Sequence, residues 1–130
     1  MGIQIVKQFT FDAAHYLPNY EGDCNQLHGH TYTLEVGVTG ALNPDGMVMD
    51  FKELKTIVSQ NVLYYVDHSY LNNIQTENKN NMFPCDNPTA ENMVMWIRFQ
   101  LIPWLNTTSK RITFIRLWET PTSYAEWSIY

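Results

Sequence analysis

Apolar and polar residues alternate along two stretches near the start of the chain. Residues 3–13 (IQIVKQFTFDA) and residues 30–39 (HTYTLEVGVT) show the two-residue period of β-strands. The segment between them, PNYEGDCNQLHG, is rich in turn-forming residues and too long for a tight hairpin. The pattern predicts two antiparallel strands joined by a long loop, and loops of this kind often carry functional residues.

The middle of the chain has the period of helices. Residues 50–53 (DFKE) have the form of an N-cap with its capping partner, and a second helix is predicted to open near residues 87–89 (NPT), with proline in its first turn. Residues 72–87 are polar and rich in asparagine, which predicts an irregular loop. The predicted buried stripes are Phe51, Leu54, Val58, Val62 and Tyr65 in the first helix, and Ala90, Val94, Ile97, Leu101 and Leu105 in the second.

The last part of the chain returns to strands. RITFIRLWE follows a turn at residues 106–109, and SYAEWSIY follows it as a final strand. The order ββααββ, with strands grouped in hairpins, predicts an α+β fold in which a four-stranded antiparallel sheet carries two helices on one face. Such a sheet leaves two edges and one face open, which favours oligomerisation.

Length and charge limit the possible functions. A chain of 130 residues is predicted to form one domain, residues 1–130. Its net charge is −5 and its eight Lys and Arg residues form no basic run, so we expect no nucleic-acid partner. No stretch approaches the roughly 20 apolar residues of a membrane span, and a leader sequence is not evident. We therefore expect a cytoplasmic protein without a membrane partner.

Two of the four histidines flank a glycine at the start of a predicted strand, as His28-Gly29-His30. Residues two apart on a strand share a face, so both imidazoles can reach one ion, and Gly29 leaves room for that approach. His15 ends the neighbouring predicted strand, where antiparallel pairing would bring it alongside. The pair alone is compatible with two half-exposed histidines, but the three together predict a metal site. Three imidazoles suit zinc, and an open fourth position is typical of a catalytic site.

Cys24 lies four residues before His28. It could be a fourth zinc ligand, which would make the site structural, or an activated thiolate beside the metal. The spacing leaves both interpretations open. The other cysteine, Cys85, lies in the polar loop and is not expected to have a role.

Two further positions carry candidate chemistry. Asp67 and His68 could form a general acid/base with its orienting carboxylate, although adjacent side chains usually diverge and a helix-terminal histidine beside a capping aspartate is an equal alternative. Glu119, at the end of an apolar strand, could bind a cationic or amide-like edge of a ligand, but such a residue is more often an ordinary strand-end acid.

Six motifs, in this order, resemble the 6-pyruvoyltetrahydropterin synthase and 6-carboxytetrahydropterin synthase family: FDAAH, CNQLHGH, MDFKELK, DHSYLN, NPTAEN and WETPTS. Together they span nearly the whole chain. The resemblance implies the tunnelling fold, assembled as a homohexamer of two barrel-forming trimers with active sites between subunits.

The resemblance also implies roles for individual residues. It implies that His15, His28 and His30 bind Zn²⁺, that Cys24 is a catalytic thiol outside the metal shell, that Asp67 and His68 form the dyad working with it, that Glu119 binds the pterin ring, and that Thr89 lines the pterin pocket. Many relatives carry a basic residue where this chain has Tyr16, Asn25 or Gln26, so the triphosphate contacts are left unassigned.

The three-residue gap between Cys24 and His28 resembles the carboxy branch of the family. The implied activity is that of a zinc-dependent lyase, which converts 7,8-dihydroneopterin triphosphate to 6-carboxytetrahydropterin with release of acetaldehyde and triphosphate, in queuosine biosynthesis. The alternatives are a 6-pyruvoyltetrahydropterin synthase, a non-catalytic zinc-stabilised binding module with Cys24 as fourth ligand, and a zinc hydrolase using metal-bound water.

Overall fold

The computed structural model describes residues 2–18, 21–22, 26–74 and 87–130. The strands are β1 (Gln4–His15), β2 (His28–Gly40), β3 (Ser69–Tyr70), β4 (Lys110–Thr120) and β5 (Ser123–Ser128). The helices are α1 (Phe51–Val58), α2 (Tyr64–Val66) and α3 (Ala90–Leu105), with a π-helical turn (Ser59–Leu63) joining α1 to α2 and a 3₁₀ turn at Leu71–Asn73. The predicted α+β class is therefore confirmed. In the described part of the chain, no helix is long and apolar enough to cross a membrane.

The strands form one sheet in the order β3-β1-β2-β4-β5. The four long strands pair antiparallel as predicted, but the predicted count of four is one too low. The additional strand, Ser69–Tyr70, pairs parallel with Ala13 and Ala14 of β1. Two residues are too few to show an alternation in the sequence, so this strand depends on where α2 delivers the chain rather than on its own pattern.

One face of the sheet packs against both helices. The buried residues on this face and on the helices form one continuous apolar cluster, which removes their side chains from water and stabilises the fold. Seven of the ten predicted stripe residues are buried: Leu54, Val58, Val62, Val94, Ile97, Leu101 and Leu105. Tyr65 and Ala90 are partly buried, and Phe51, the first residue of α1, is 50% exposed. The sheet contributes Phe9, Phe11, Tyr32, Leu34, Val36, Val38, Ile112, Ile115 and Leu117 to this cluster.

Both helix starts carry side-chain caps. Asp50 accepts a hydrogen bond from the backbone N–H of Lys52 (2.7 Å), which confirms the predicted cap of α1. Thr89 accepts from the backbone N–H of Asn92 (3.1 Å) and is the cap of α3. Pro88 therefore precedes the cap instead of lying in the first turn, and its carbonyl oxygen is free to bind a side chain of β1.

The helical segment formed by α1, the π-helical turn and α2 ends beside β1. The π-helical turn alters its hydrogen bonding, and the carbonyl oxygen of Asn61 accepts from the side chain of Gln100 on α3 (2.8 Å). After α2 the backbone N–H of His68 donates to the carbonyl oxygen of Asp12 on β1 (2.6 Å). This contact fixes residues 67 and 68 beside the end of β1.

Candidate metal centre and active site

The three predicted histidines meet at one end of the β1–β2 pair. His15 lies directly opposite His28, and His30 lies opposite Ala13. One nitrogen from each ring lies within 4.8 Å of the others, and the Nε2 atoms of His15 and His28 are 3.1 Å apart. The convergence predicted from the sequence is confirmed. At Gly29, which was predicted to leave room for that approach, an added Cβ would lie 3.6 Å from the carbonyl oxygen of Ala13, an ordinary contact.

Backbone carbonyls orient two of the rings. The Nδ1 of His15 lies 2.9 Å from the carbonyl oxygen of Pro88, and the Nδ1 of His28 lies 2.7 Å from that of Gln26. A carbonyl oxygen can only accept, so each Nδ1 carries the hydrogen and donates it. Each Nε2 therefore directs a lone pair at the other histidines, the arrangement found in metal sites whose ligands are held by outer hydrogen bonds.

The donor set fits a cation. With both Nδ1 atoms protonated, the Nε2 atoms of His15 and His28 could share a hydrogen only if one ring were a charged imidazolium. Burial lowers the pKa of His15, which disfavours a positive charge on that ring, although the hydrogen bond to the Pro88 carbonyl and the Glu119 carboxylate oppose the effect. Burial also lowers the pKa of His30. A divalent ion satisfies the lone pairs without a proton, and three imidazoles match the preference of zinc.

Tyr32, which was not among the predicted site residues, contacts two of the histidines. Its hydroxyl lies 3.4 Å from the Nδ1 of His15, and its ring packs edge-on against His30. Burial raises the pKa of Tyr32 well above its usual value, so the phenol stays neutral. The two-residue alternation after His30 could have identified this position. Nothing in the sequence could have identified the Pro88 carbonyl, because that contact depends on where α3 begins.

Glu119 lies against the histidines. Its Oε1 atom is 3.3 Å from the Nε2 of His15 and 3.7 Å from the Nε2 of His30. Its side chain is 31% exposed and lines a cavity of about 560 Å³ between α3 and β5, together with Ala90 and Glu91. The carboxylate therefore stands between the metal centre and a space that can hold a small molecule.

Thr89 is placed by its cap at the first turn of α3, next to that cavity. Its hydroxyl already accepts the Asn92 N–H, and its role toward a ligand stays a prediction.

Asp67 and His68 do contact each other, and the expected divergence of adjacent side chains is wrong here. His68 adopts a left-handed backbone conformation (φ 58°), which turns its ring back so that Nδ1 lies 3.0 Å from the Oδ1 of Asp67. The same oxygen accepts the backbone N–H of Asp12 (3.1 Å). His68 also borders an open depression of about 420 Å³, whose lining includes Asp12, Thr31 and His30.

Cys24 and Cys85 lie outside the described residues, as does Asn25. The catalytic role predicted for Cys24 stays a prediction.

Comparisons with known proteins agree with this geometry. The family model described as "PTPS: 6-pyruvoyl tetrahydropterin synthase" matches residues 4–128. The chain is 36% identical over 140 residues to the 6-carboxy-5,6,7,8-tetrahydropterin synthase of Haemophilus influenzae, covering 95% of this chain and 97% of that protein. It is 41% identical over 97 residues to the dihydroneopterin monophosphate aldolase of Pyrococcus furiosus, covering 75% and 73%.

Among solved structures, the fold is similar to that of 6-pyruvoyl tetrahydropterin synthase from Caenorhabditis elegans. The TM-score is 0.81 at 26% sequence identity, with 98% of this chain and 96% of that chain covered. The match therefore extends from the first strand to the last. The chain belongs to the 6-pyruvoyl tetrahydropterin synthase family.

Proposed function

We propose that this protein is a zinc-dependent 6-carboxy-5,6,7,8-tetrahydropterin synthase, which converts 7,8-dihydroneopterin triphosphate to 6-carboxytetrahydropterin with release of acetaldehyde and triphosphate. The observation that carries the proposal is the convergence of His15, His28 and His30 on one point in a chain of this family. The gap of three residues between Cys24 and His28, and the name of the Haemophilus influenzae relative, favour the carboxy over the pyruvoyl product.

The three histidines would hold the zinc, and the carbonyl oxygens of Pro88 and Gln26 keep two of the rings in the required tautomer. Bound zinc supplies positive charge that lowers the pKa of nearby hydroxyls. Burial keeps His15 neutral and therefore available as a ligand.

His68 would transfer protons at its Nε2 atom. Its Nδ1 faces Asp67, so the carboxylate orients the ring and stabilises it when Nε2 takes up a proton. The His68 ring is mostly exposed, so it is available to a substrate at this end of the sheet. Cys24, as a thiolate, would be the second group that moves a proton on the substrate side chain.

Substrate binding would involve Glu119 and Thr89. A carboxylate can accept two parallel hydrogen bonds from the amidine-like edge of a pterin ring, and Glu119 faces a cavity of about 560 Å³ that suits such a ring. Thr89 would line the pterin pocket at the start of α3.

The wider setting is also a proposal. We infer a cytoplasmic enzyme of queuosine biosynthesis, in which residues 1–130 form one domain and six copies form a homohexamer with active sites between subunits. Among the described residues, β5 pairs only with β4, which leaves its outer edge available to another copy. Molar mass measured by light scattering tests the hexamer.

Incubation of the zinc-loaded protein with 7,8-dihydroneopterin triphosphate tests the activity. Mass spectrometry should detect 6-carboxytetrahydropterin, with acetaldehyde in equal amount. Detection of 6-pyruvoyltetrahydropterin instead would show that the protein is a 6-pyruvoyltetrahydropterin synthase. Because a Pyrococcus furiosus relative is named a dihydroneopterin monophosphate aldolase, 7,8-dihydroneopterin monophosphate is tested in parallel. Turnover of the monophosphate alone would refute the proposed substrate.

The substitution Cys24→Ala separates the classes of function. The proposed enzyme retains zinc and loses turnover. A zinc-stabilised binding module with Cys24 as ligand instead loses zinc and unfolds. Turnover that survives the substitution would favour a hydrolase that uses metal-bound water.

A further inference from the structure

We propose that Glu119 is an exchangeable fourth ligand of the zinc, which occupies the open coordination position until substrate binds. This role rests on the proposed function, because it requires bound zinc. It goes further, because it gives the residue proposed to bind the pterin ring a second role in the substrate-free protein.

Two of the distances from Glu119 to the histidines match those between ligand atoms in a zinc site. In a tetrahedral site with bonds of about 2.0–2.2 Å, neighbouring ligand atoms lie roughly 3.3–3.6 Å apart. The Oε1 of Glu119 lies 3.3 Å from the Nε2 of His15 and 3.7 Å from that of His30. The oxygen therefore lies at ligand-to-ligand distance from two of the three histidine nitrogens, and it is more than 4.0 Å from those of His28. A rotation of the partly exposed Glu119 side chain would complete the approach to His28.

The protonation pattern supports the same role. The Nδ1 of His15 donates to Pro88, so its Nε2 presents a lone pair to both the Nε2 of His28 and the Oε1 of Glu119. The Nε2 of His15 thus faces one acceptor atom at 3.1 Å and another at 3.3 Å, and such pairs repel unless a cation lies between them. A carboxylate oxygen is one of the ligands that zinc accepts.

The backbone turns Glu119 toward the histidines. The pairing of β4 with β5 is irregular here: Trp118 pairs with Tyr124 and Thr120 pairs with Ser123, which leaves Glu119 without a partner on β5. The alternation of β4 continues from the buried Ile115 and Leu117, so Glu119 lies on the face of the histidines. An irregular pairing of this kind is common beside active sites. Glu119 lines cavities of about 560 Å³ and about 620 Å³ as well as the metal centre. A change of rotamer can therefore move its carboxylate from the ion to a ligand.

The exchange would couple ring binding to metal access. When the amidine-like edge of a substrate engages Glu119, the carboxylate leaves the ion and the fourth position opens. In the substrate-free protein the same position stays closed.

Metal binding without substrate tests the role. Zinc affinity is measured by competition with a chelator, and the coordination of Co²⁺ in place of zinc is followed by its visible absorption. Glu119→Gln should weaken zinc binding about tenfold or more and change the Co²⁺ spectrum. The matched control is Glu126→Gln, because Glu126 lines the same cavity but pairs with Arg116 (2.7 Å), and this variant should behave like the wild type.

Two further measurements complete the test. Glu119→Asp keeps the carboxylate but shortens the side chain, and should give an intermediate affinity. Addition of 7,8-dihydroneopterin to the Co²⁺-loaded wild type should shift its spectrum toward that of Glu119→Gln.

The outcomes distinguish this role from the proposed function. If Glu119→Gln binds zinc as tightly as the wild type with an unchanged Co²⁺ spectrum, water holds the fourth position and the role is refuted, while the three-histidine site stands. If the wild type binds neither ion, the zinc site itself fails, and the proposed function fails with it.

Discussion

The two halves of the β1–β2 pair use the same face for different purposes. In the middle of the pair, Phe9 lies opposite Leu34 and Phe11 opposite Tyr32, all buried under the helices. At the end of the pair, on the same face, lie the three histidines. The metal centre therefore continues the core by two more steps of the same alternation, with imidazoles in place of apolar side chains.

The two regions differ in what each requires. The core positions are satisfied by packing alone. The histidine positions bring ring nitrogens together in a group that could hold a metal ion. The same pair of strands supports both regions. We therefore expect that a substitution can remove metal binding without unfolding the protein, and that a core substitution can lower stability without removing metal binding.

The largest effect is expected from His30→Ala. Two imidazoles cannot hold the zinc as three do, so the metal should be lost and turnover should fall about a thousandfold or more, or roughly 4 kcal/mol. The fold should persist, because His30 contributes little to the apolar cluster. Metal analysis, product assay and circular dichroism check these three statements. Full zinc occupancy in this variant would contradict the assignment of His30 as a ligand.

The opposite result is expected from Leu34→Ala. Leu34 is fully buried, and its truncation should lower the free energy of unfolding by about 2–5 kcal/mol. Zinc stoichiometry should not change while the protein remains folded. Urea denaturation of the metal-free protein measures the loss, and Thr10→Ala on the exposed side of β1 is the control, with a change of about 0.5 kcal/mol or less. Loss of zinc in folded Leu34→Ala protein would show that core and metal centre are not separable.

The two helix caps differ in their distance from the histidines. Asp50 caps α1, whereas Thr89 caps α3 and follows Pro88, whose carbonyl oxygen contacts His15. Asp50→Ala and Thr89→Ala each remove a cap and should each cost about 1 kcal/mol of stability. Only Thr89→Ala should also weaken zinc binding, by about tenfold, because Thr89 positions the Pro88 carbonyl on His15. Thr89→Ser, which keeps the hydroxyl, should restore the affinity. Equal zinc affinity in Thr89→Ala and Asp50→Ala would contradict this link.

Much of the fold could be predicted because its strands and helices are long and periodic. The alternation of residues predicts strands β1 and β2, and their antiparallel pairing predicts that His15 lies beside the His28–His30 segment. In the structure, His15 lies opposite His28. The two-residue strand β3 could not be predicted, since it depends on a tertiary position. The site was predictable where ligands follow the strand period. It was not predictable at His68, whose contact with Asp67 depends on a left-handed backbone conformation that no pattern of residue types indicates.

The smallest expected effect concerns how the free energy of unfolding of the metal-free protein depends on pH. The histidine region should contribute to this dependence, and the apolar core should not. Burial lowers the folded-state pKa of His15 and of His30 below the ordinary value of 6.5. Between that lowered pKa and 6.5, the unfolded chain binds more protons than the folded chain. The free energy of unfolding should therefore fall as the pH drops through 6.5, and the fall should end below the folded pKa.

Urea midpoints of the metal-free protein at about pH 7.5 and about pH 5.5 measure this dependence. His30→Gln should lose less stability on acidification than the wild type, because one of the two imidazoles with a lowered pKa is gone. Leu34→Ala should be destabilised equally at both pH values, because its contribution carries no proton. If His30→Gln and the wild type lose equal stability in acid, His30 does not contribute to the pH dependence. A nearby negative charge would then offset the effect of burial on its pKa. The proximity of Glu119 to both rings makes its carboxylate the first residue to examine in that case.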